Sequence, residues 1–398
     1  MPVIVSLGNG NTATAIANAD GIACIALTGV SENTVVQGTP FLVTTMADVN
    51  NTTVAGLTVA NNAFAFNKLQ NLFNELTILG ITAAKLYVML MAPTVRASQI
   101  CDNTNANGMV KLLNFAGGTA RLCAVCVDDV AAEAASVTIT VTNGINADIY
   151  TAESNAQALA IARFNVEQPL RIIIGATSFT GTASALTDLT THTNNRVAIL
   201  LGDVAGHATR SSSMIGIVLG RLMAIPVQRK ISKVKLGAIS SVTAYIANTS
   251  ADQYSQASVI AGKGFITVQT VIGKSGFFFT GDPTCTATTD DYASVARGRV
   301  IDKAHVLAYA TMVSEIDGEV PVNTDGTIDA GFAKYLEQQM RNVLDLNMLG
   351  NKNISLASNA FVDPAQIVNT TNKVQVVVSV KPYAYASEID ITLGYQKN

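Results

Sequence analysis

An α/β fold is the class this sequence predicts, and three observations predict it. Short apolar runs alternate with amphipathic segments over the first 236 residues, two long helical stripes lie between residues 289 and 350, and residues 373–398 hold two stretches of period two, each with one apolar face. The first pattern suits a mostly parallel sheet covered by helices, and the last two suit a carboxy-terminal α+β unit.

Taken in order, residues 1–20 contain a short apolar strand with Val3, Ile4 and Val5, then a small-residue stretch with neither period, so this segment reads as an arm. Residues 21–29 and 35–45 read as strands, and 63–79 as an amphipathic helix with Phe64, Leu69, Leu72, Phe73 and Leu76 inward. A strand at 85–91, a helix within 97–115 and a strand at 120–127 continue the alternation. The next run has buried strands at 170–174 and 197–201, helices at 182–195 and 212–225, and a further strand at 231–236. Strands at 265–271 and 276–280 then lead to Thr289, Asp290 and Asp291, which can cap and charge-match a helix running to about residue 315. A second helix opens at 326–329, carries Phe332, Tyr335, Leu336, Met340, Val343 and Leu344 on one side, and closes at Gly350. Val374, Val376, Val378 and Val380 share one face of the strand that follows, the expected acceptor for a donated strand, and Ile389, Ile391, Leu393 and Tyr395 share one face of the last, with Glu388, Asp390 and Thr392 opposite. An exposed terminal strand with one apolar face becomes an assembly device where another copy offers an open sheet edge. An intramolecular hairpin is the alternative reading of the same pattern.

Composition limits the function. Charged residues are 13% of the chain and apolar ones 49%, against about 25% charged in an ordinary soluble protein, which points to large buried interfaces between subunits. No run of about 20 apolar residues predicts a membrane span. A net charge of −3 without a long basic run leaves no footprint for nucleic acid. The first basic residue is Lys68, so no charged n-region of a secretory signal is present, and synthesis and assembly in the cytoplasm are expected. Five cysteines make no disulfide scaffold, and Cys123 and Cys126, three apart in a strand pattern, face opposite sides and cannot readily share a metal.

Catalytic signals are scarce. No GxGxxG follows a strand, the stretch ending Gly273-Lys274-Ser275 has Val268 where a P-loop needs its first glycine, and there is no GxSxG. His192, His207 and His305 lie in separate segments without metal spacing. The loop from Gly202 to His207 is the best remaining place for chemistry, although a Gly-rich loop after a strand is usually a turn. No catalytic, metal or cofactor residue is therefore assigned.

The order of the last elements resembles the tail sheath proteins of contractile phage tails and related contractile injection systems. The residues that carry the resemblance are GFFFTGDPT (276–284), RVID (299–302), LDLNMLG (344–350), the strands near 354–361 and 373–381, and PYAYASEIDITLGY (382–395), together with the small-residue helix and next strand from residue 211. It covers roughly residue 170 to the end, while the amino-terminal part is compatible with an inserted outer domain. The resemblance implies a domain order of 1–20 as an arm, 21–150 as a variable outer α/β domain, 151–383 as the sheath core, and 384–398 as an arm donated to a neighbour. It further implies a non-enzymatic virion or injector part. Hexameric rings would stack by strand exchange into a helical sheath around an inner tube protein, bounded by baseplate and tail terminator proteins. Contraction would then drive the tube through an envelope, with Lys334 and Arg341 as candidate tube-facing residues. Those two also alternate in sign with Glu337 and Asp345 at helical spacing, which reads equally as a self-neutralised solvated stripe. An α/β enzyme or nucleotide-binding protein with an unrecognised site, or another strand-swapping shell protein, are the competing expectations.

Overall fold

Six apolar segments, too short for helices and rich in β-branched residues, line up as one sheet in the computed structural model, which describes residues 19–387 and 390. The strands are β1 (Ala23–Thr28), β2 (Phe41–Val43), β3 (Leu86–Met91), β4 (Leu122–Cys126), β5 (Arg171–Gly175) and β6 (Val197–Leu200), and their order across the sheet is β2-β3-β1-β4-β5-β6. All neighbours are parallel except β2 with β3. β1, β3, β4, β5 and β6 are buried at every position, which explains their continuous rather than alternating hydrophobicity.

Three helices cover the strands: α1 (Val59–Ile78), α2 (Ala147–Phe164) and α3 (Ile215–Ala224). α3 packs against α1 and β4, and α2 packs against the short helix Ala97–Cys101 and β5. Gly216 and Gly220 set the α1–α3 approach. A Cβ on Gly216 would sit 1.9 Å from the Lys68 carbonyl oxygen, and one on Gly220 2.6 Å from that of Leu72. The hairpin of β7 (Val268–Thr270) and β8 (Phe277–Phe279) and most of helix α4 (Val295–Met312) complete a first unit, Met1–Val306. The second unit, Leu307–Asn398, holds α5 (Ala330–Leu344) and the antiparallel pair β9 (Leu356–Val362) and β10 (Val376–Lys381) around a small core of Ile328, Ala333, Leu336, Val362 and Val368.

Several expectations are corrected. The boundary expected at 150/151 falls inside α2, and β4 and β5 on either side of it are neighbours in one sheet. α2 itself had no clear stripe in sequence, because alanine fills much of its buried side. Residues 182–195 are not a helix but two single 3-10 turns, the second capped by Asp188, followed by Thr193–Asn194, which pair with Cys285–Thr286. Glu153 of α2 accepts hydrogen bonds from His192 and Asn194 and holds this segment in place. Residues 231–236 do not form a strand either: the Arg221 guanidinium takes the carbonyls of Ile231, Gly237 and Ala238. α4 starts at Val295, not near 289. Its first amides bind Asp282, whose carbonyl accepts from Val295 and whose carboxylate accepts from Ala296, while Asp290 caps only a turn at Tyr292.

Candidate assembly interface

The second unit is built outward from α5. Asp329 caps it, its side chain accepting from the Phe332 amide at 2.9 Å, and Ala333, Leu336, Met340 and Leu344 are buried at helical spacing. Its charged residues do neutralise one another, Glu337 lying 2.7 Å from Lys334 and 3.9 Å from Arg341, but of these only Lys334 is largely solvated; the others, with Asp345 just after the helix, also bind β9. Glu337 is only 4% exposed and accepts from the Val362 amide at 3.0 Å; Asp345 accepts from the Ser358 amide at 2.7 Å; and Arg341 donates to the Ala360 carbonyl at 2.8 Å and to Asn359 Oδ1 at 3.0 Å. The helix thus holds the backbone of β9. Lys334, whose side chain keeps 72% of its exposure, bonds Glu337 at 2.7 Å, and this bond, then the Val362 amide, hold the Glu337 carboxyl below its ordinary range.

β10 pairs with β9 through Val376 opposite Val362 and Val378 opposite Ala360. Val374, Val376, Val378 and Val380 are half-buried and alternate with exposed neighbours, so the four expected acceptor residues do share a face. Val374 and Val376 also line a cavity of about 940 Å³ with Val320, Val322, Phe332 and Leu336. The expected donor residues Val3, Ile4, Val5, Glu388, Ile389, Ile391, Leu393 and Tyr395 lie outside the described residues, and Asp390 is exposed.

In the first unit the RVID segment is a fastening. Asp302 is 3% exposed and receives Arg171 Nε and Nη2 at 2.6 and 3.0 Å and Arg196 Nη1 at 3.0 Å. Gly298 makes room for the Arg171 guanidinium, which lies 2.3–2.6 Å from where its Cβ would be. Burial, and next the charge of Arg171, push the Arg196 pKa down. Arg299 donates from Nη2 to the Ile225 carbonyl at 3.3 Å, and burial lowers its pKa to about 10. Neither the partners Arg171 and Arg196 nor this structural role carries a local sequence signal.

Asp282, 1% exposed, accepts from Ala296 N and Ser294 Oγ, with Lys230 at 3.8 Å, and burial raises its pKa to about 6. The folded protein therefore holds this proton more tightly than the unfolded chain. Stability from this group is complete below about pH 4 and is lost as pH rises through 6, by about 3 kcal/mol. Urea unfolding of Asp282→Asn is expected to show the variant gaining on the native protein between pH 4 and 7. A difference that stays constant with pH would refute this assignment.

The loop after β6 is closed by an ion pair: Asp203, itself buried, takes Lys68 Nζ at 2.9 and 3.0 Å. His207 is 3.8 Å from Asp203, His192 bonds Glu153, and His305 bonds Glu167. Among the described residues no three metal-binding side chains converge, and all five cysteines are free and buried.

Two family models match the chain: the N-terminal domain of DUF2586 over residues 2–282 and the C-terminal domain of DUF2586 over residues 291–398. Three solved structures illustrate the fold. The helical sheath of the anti-feeding prophage in its contracted state has a TM-score of 0.64 at 14% identity, over 100% of this chain and 99% of that one. The contracted sheath complex of the PVC extracellular contractile injection system has a TM-score of 0.57 at 9% identity, over 99% and 97%. A sheath tail protein from Listeria innocua has a TM-score of 0.51 at 10% identity, over 90% and 91%. What is shared is the fold, and it extends to the amino-terminal part that sequence alone left open. No curated protein matches this sequence.

Proposed function

We infer that this chain, which belongs to the DUF2586 family and has the fold of contractile-tail sheath proteins, is a structural subunit of a contractile sheath. The observation that carries the reading is a two-stranded sheet, β9–β10, in a chain whose last residues alternate as a further strand. Copies joined by that strand form a polymer, with residues 1–20 and 384–398 as arms between neighbours. Its working assembly is a stack of hexameric rings around an inner tube, seated on a baseplate, closed by a terminator and built in a bacterial cytoplasm. Chains in two structures of the anti-feeding prophage baseplate share the fold, which supports the baseplate contact. The subunit acts by changing its packing rather than by catalysis: an extended lattice held in a metastable arrangement releases free energy as it contracts. Lys334 is the better placed of the two candidate tube contacts, since Arg341 is engaged with β9.

Deletion of residues 384–398 tests this. Electron microscopy of the full-length protein with its tube partner is expected to show hollow helical cylinders, and the truncated protein only small soluble oligomers with unchanged circular dichroism. Normal cylinders from the truncated chain would end the arm reading. Closed shells from the intact chain would replace the sheath reading with a capsid-like one.

A further inference from the structure

A small cavity lies beside the RVID segment of α4, inside the first unit. Its volume is about 10 Å³, and its walls are Asp20, Arg121, Val227, Arg299, Asp302 and Lys303. The fold brings these residues together from four places: the 3-10 turn Ala19–Gly21, the position before β4, the stretch after α3, and two successive turns of α4. Charge does not balance there. Arg121, Arg171, Arg196, Arg299 and Lys303 gather around the carboxylates of Asp20 and Asp302. Asp302 is taken by Arg171 and Arg196, and Asp20 by Lys303 at 2.7 Å. Arg121 donates to the neutral carbonyls of Gly118 and Ala120. Asp282 also attracts Arg299, but the Lys230 ammonium 3.8 Å from it offsets that charge.

Arg299 is the second, independent observation. It is 3% exposed, and among the described residues its Nε and Nη1 have no hydrogen-bond partner. Its Nη2 makes only long contacts, 3.3 Å to the Ile225 carbonyl and 3.5 Å to that of Asp20, a residue that lines the cavity with it. Burial lowers its pKa to about 10, so it still carries its charge at neutral pH. A buried guanidinium without an opposite charge is costly, and the side chains around it do not supply one.

We propose that this cavity is a binding site for one monatomic anion of chloride size, held by the buried Arg299 and by the half-buried Arg121 and Lys303. The site is independent of the sheath reading. Its size sets the class of ligand, since the volume is about that of one solvent sphere. Sulfate, phosphate and nucleotides are too large. Three cationic walls repel a metal ion. A water molecule fits the space but leaves the charge unbalanced. The bound anion ties the turn at Asp20 and the entry to β4 to the middle of α4, three elements that meet at this point.

Chloride dependence of the full-length protein tests the site. Thermal unfolding is followed by circular dichroism as sodium chloride replaces sodium gluconate at constant ionic strength. The melting temperature is expected to rise and level off, by about 3 °C at roughly a hundred-fold excess over the dissociation constant. Arg299→Met should abolish the response. Arg121→Gln, at the half-buried side of the cavity, should fold and need about ten-fold more chloride for the same rise. If Arg299→Met does not fold, Arg121→Gln carries the comparison. Equal melting in the two salts, or one chloride dependence shared by the native protein and Arg121→Gln, would overturn the proposal. Crystals grown in sodium bromide read occupancy directly, and an anomalous peak between Arg121, Arg299 and Lys303 is expected. Water in the cavity with bromide only elsewhere would refute the site. Bromide in the cavity without any chloride effect on melting would mark an adventitious ion only, and would refute it too.

Discussion

Asp302→Ala is expected to cost about 3–5 kcal/mol, because it leaves buried guanidinium charge without its partner. Arg171 is 1% exposed, and the Arg196 side chain is 13% exposed. The hydrogen bonds of Arg171 to the Asn195 and Gly298 carbonyls remain, but these cannot neutralise the charge. The pair Arg171→Met with Asp302→Leu removes both sides of the main contact and is expected to recover at least half of the loss, since well-packed apolar replacements often match a buried pair. Urea unfolding followed by circular dichroism reads both variants. A loss below 1 kcal/mol for Asp302→Ala would mean that this carboxylate does not hold α4 to β5.

The second large effect is expected at Gly216. Replacement by alanine places a methyl group 1.9 Å from the Lys68 carbonyl oxygen and 2.9 Å from its carbon. These are backbone atoms within α1, so the two helices must separate rather than a side chain turn aside. The same movement pulls Lys68 from Asp203, an ion pair that is buried on both sides. A loss of about 3 kcal/mol or more is expected, seen as a melting temperature lower by roughly 6–12 °C. Gly262→Ala is the control: nothing lies within 4 Å of its Cβ position, and its stability should stay within about 0.5 kcal/mol. Equal behaviour of the two variants would refute the close-packing argument.

The parts of this fold that could be read from sequence are those whose signal is local. β1, β3, β4, β5 and β6 carry near-continuous apolar runs, broken only by Thr28 at the end of β1 and Arg171 at the start of β5, and α1 and α5 show helical stripes, so their kind and place were legible. Where distant side chains decide the backbone, pattern failed. The segment at 231–236 alternates like a strand, yet it ends in a 3-10 turn and Arg221 takes the carbonyls of Ile231 and, just beyond the segment, Gly237 and Ala238, and the start of α4 is set by Asp282 rather than by the acidic residues beside it. The RVID motif was visible, but its meaning depends on Arg171 and Arg196, separated from Asp302 by 131 and 106 positions. The same holds for the assembly interface. The valine face of β10 was legible from its period, whereas the closing of β9 needs the helix and the strand side by side. Glu337, Arg341 and Asp345 carry a spacing that ordinary surface helices share.

With only 13% of its residues charged, this chain places many of the charges it has in the interior. Arg171 with Asp302, Arg221 with Glu75, Lys68 with Asp203 and Arg96 with Asp129 are all shielded from solvent. Dissolved ions screen such pairs far less than surface ones, so added salt is expected to weaken these four contacts little. The reverse side of that tolerance is colloidal. A net charge of −3 gives copies little like-charge repulsion to keep them apart, and on the sheath reading proposed above the most exposed period of a copy is the interval between synthesis and its capture by a neighbour.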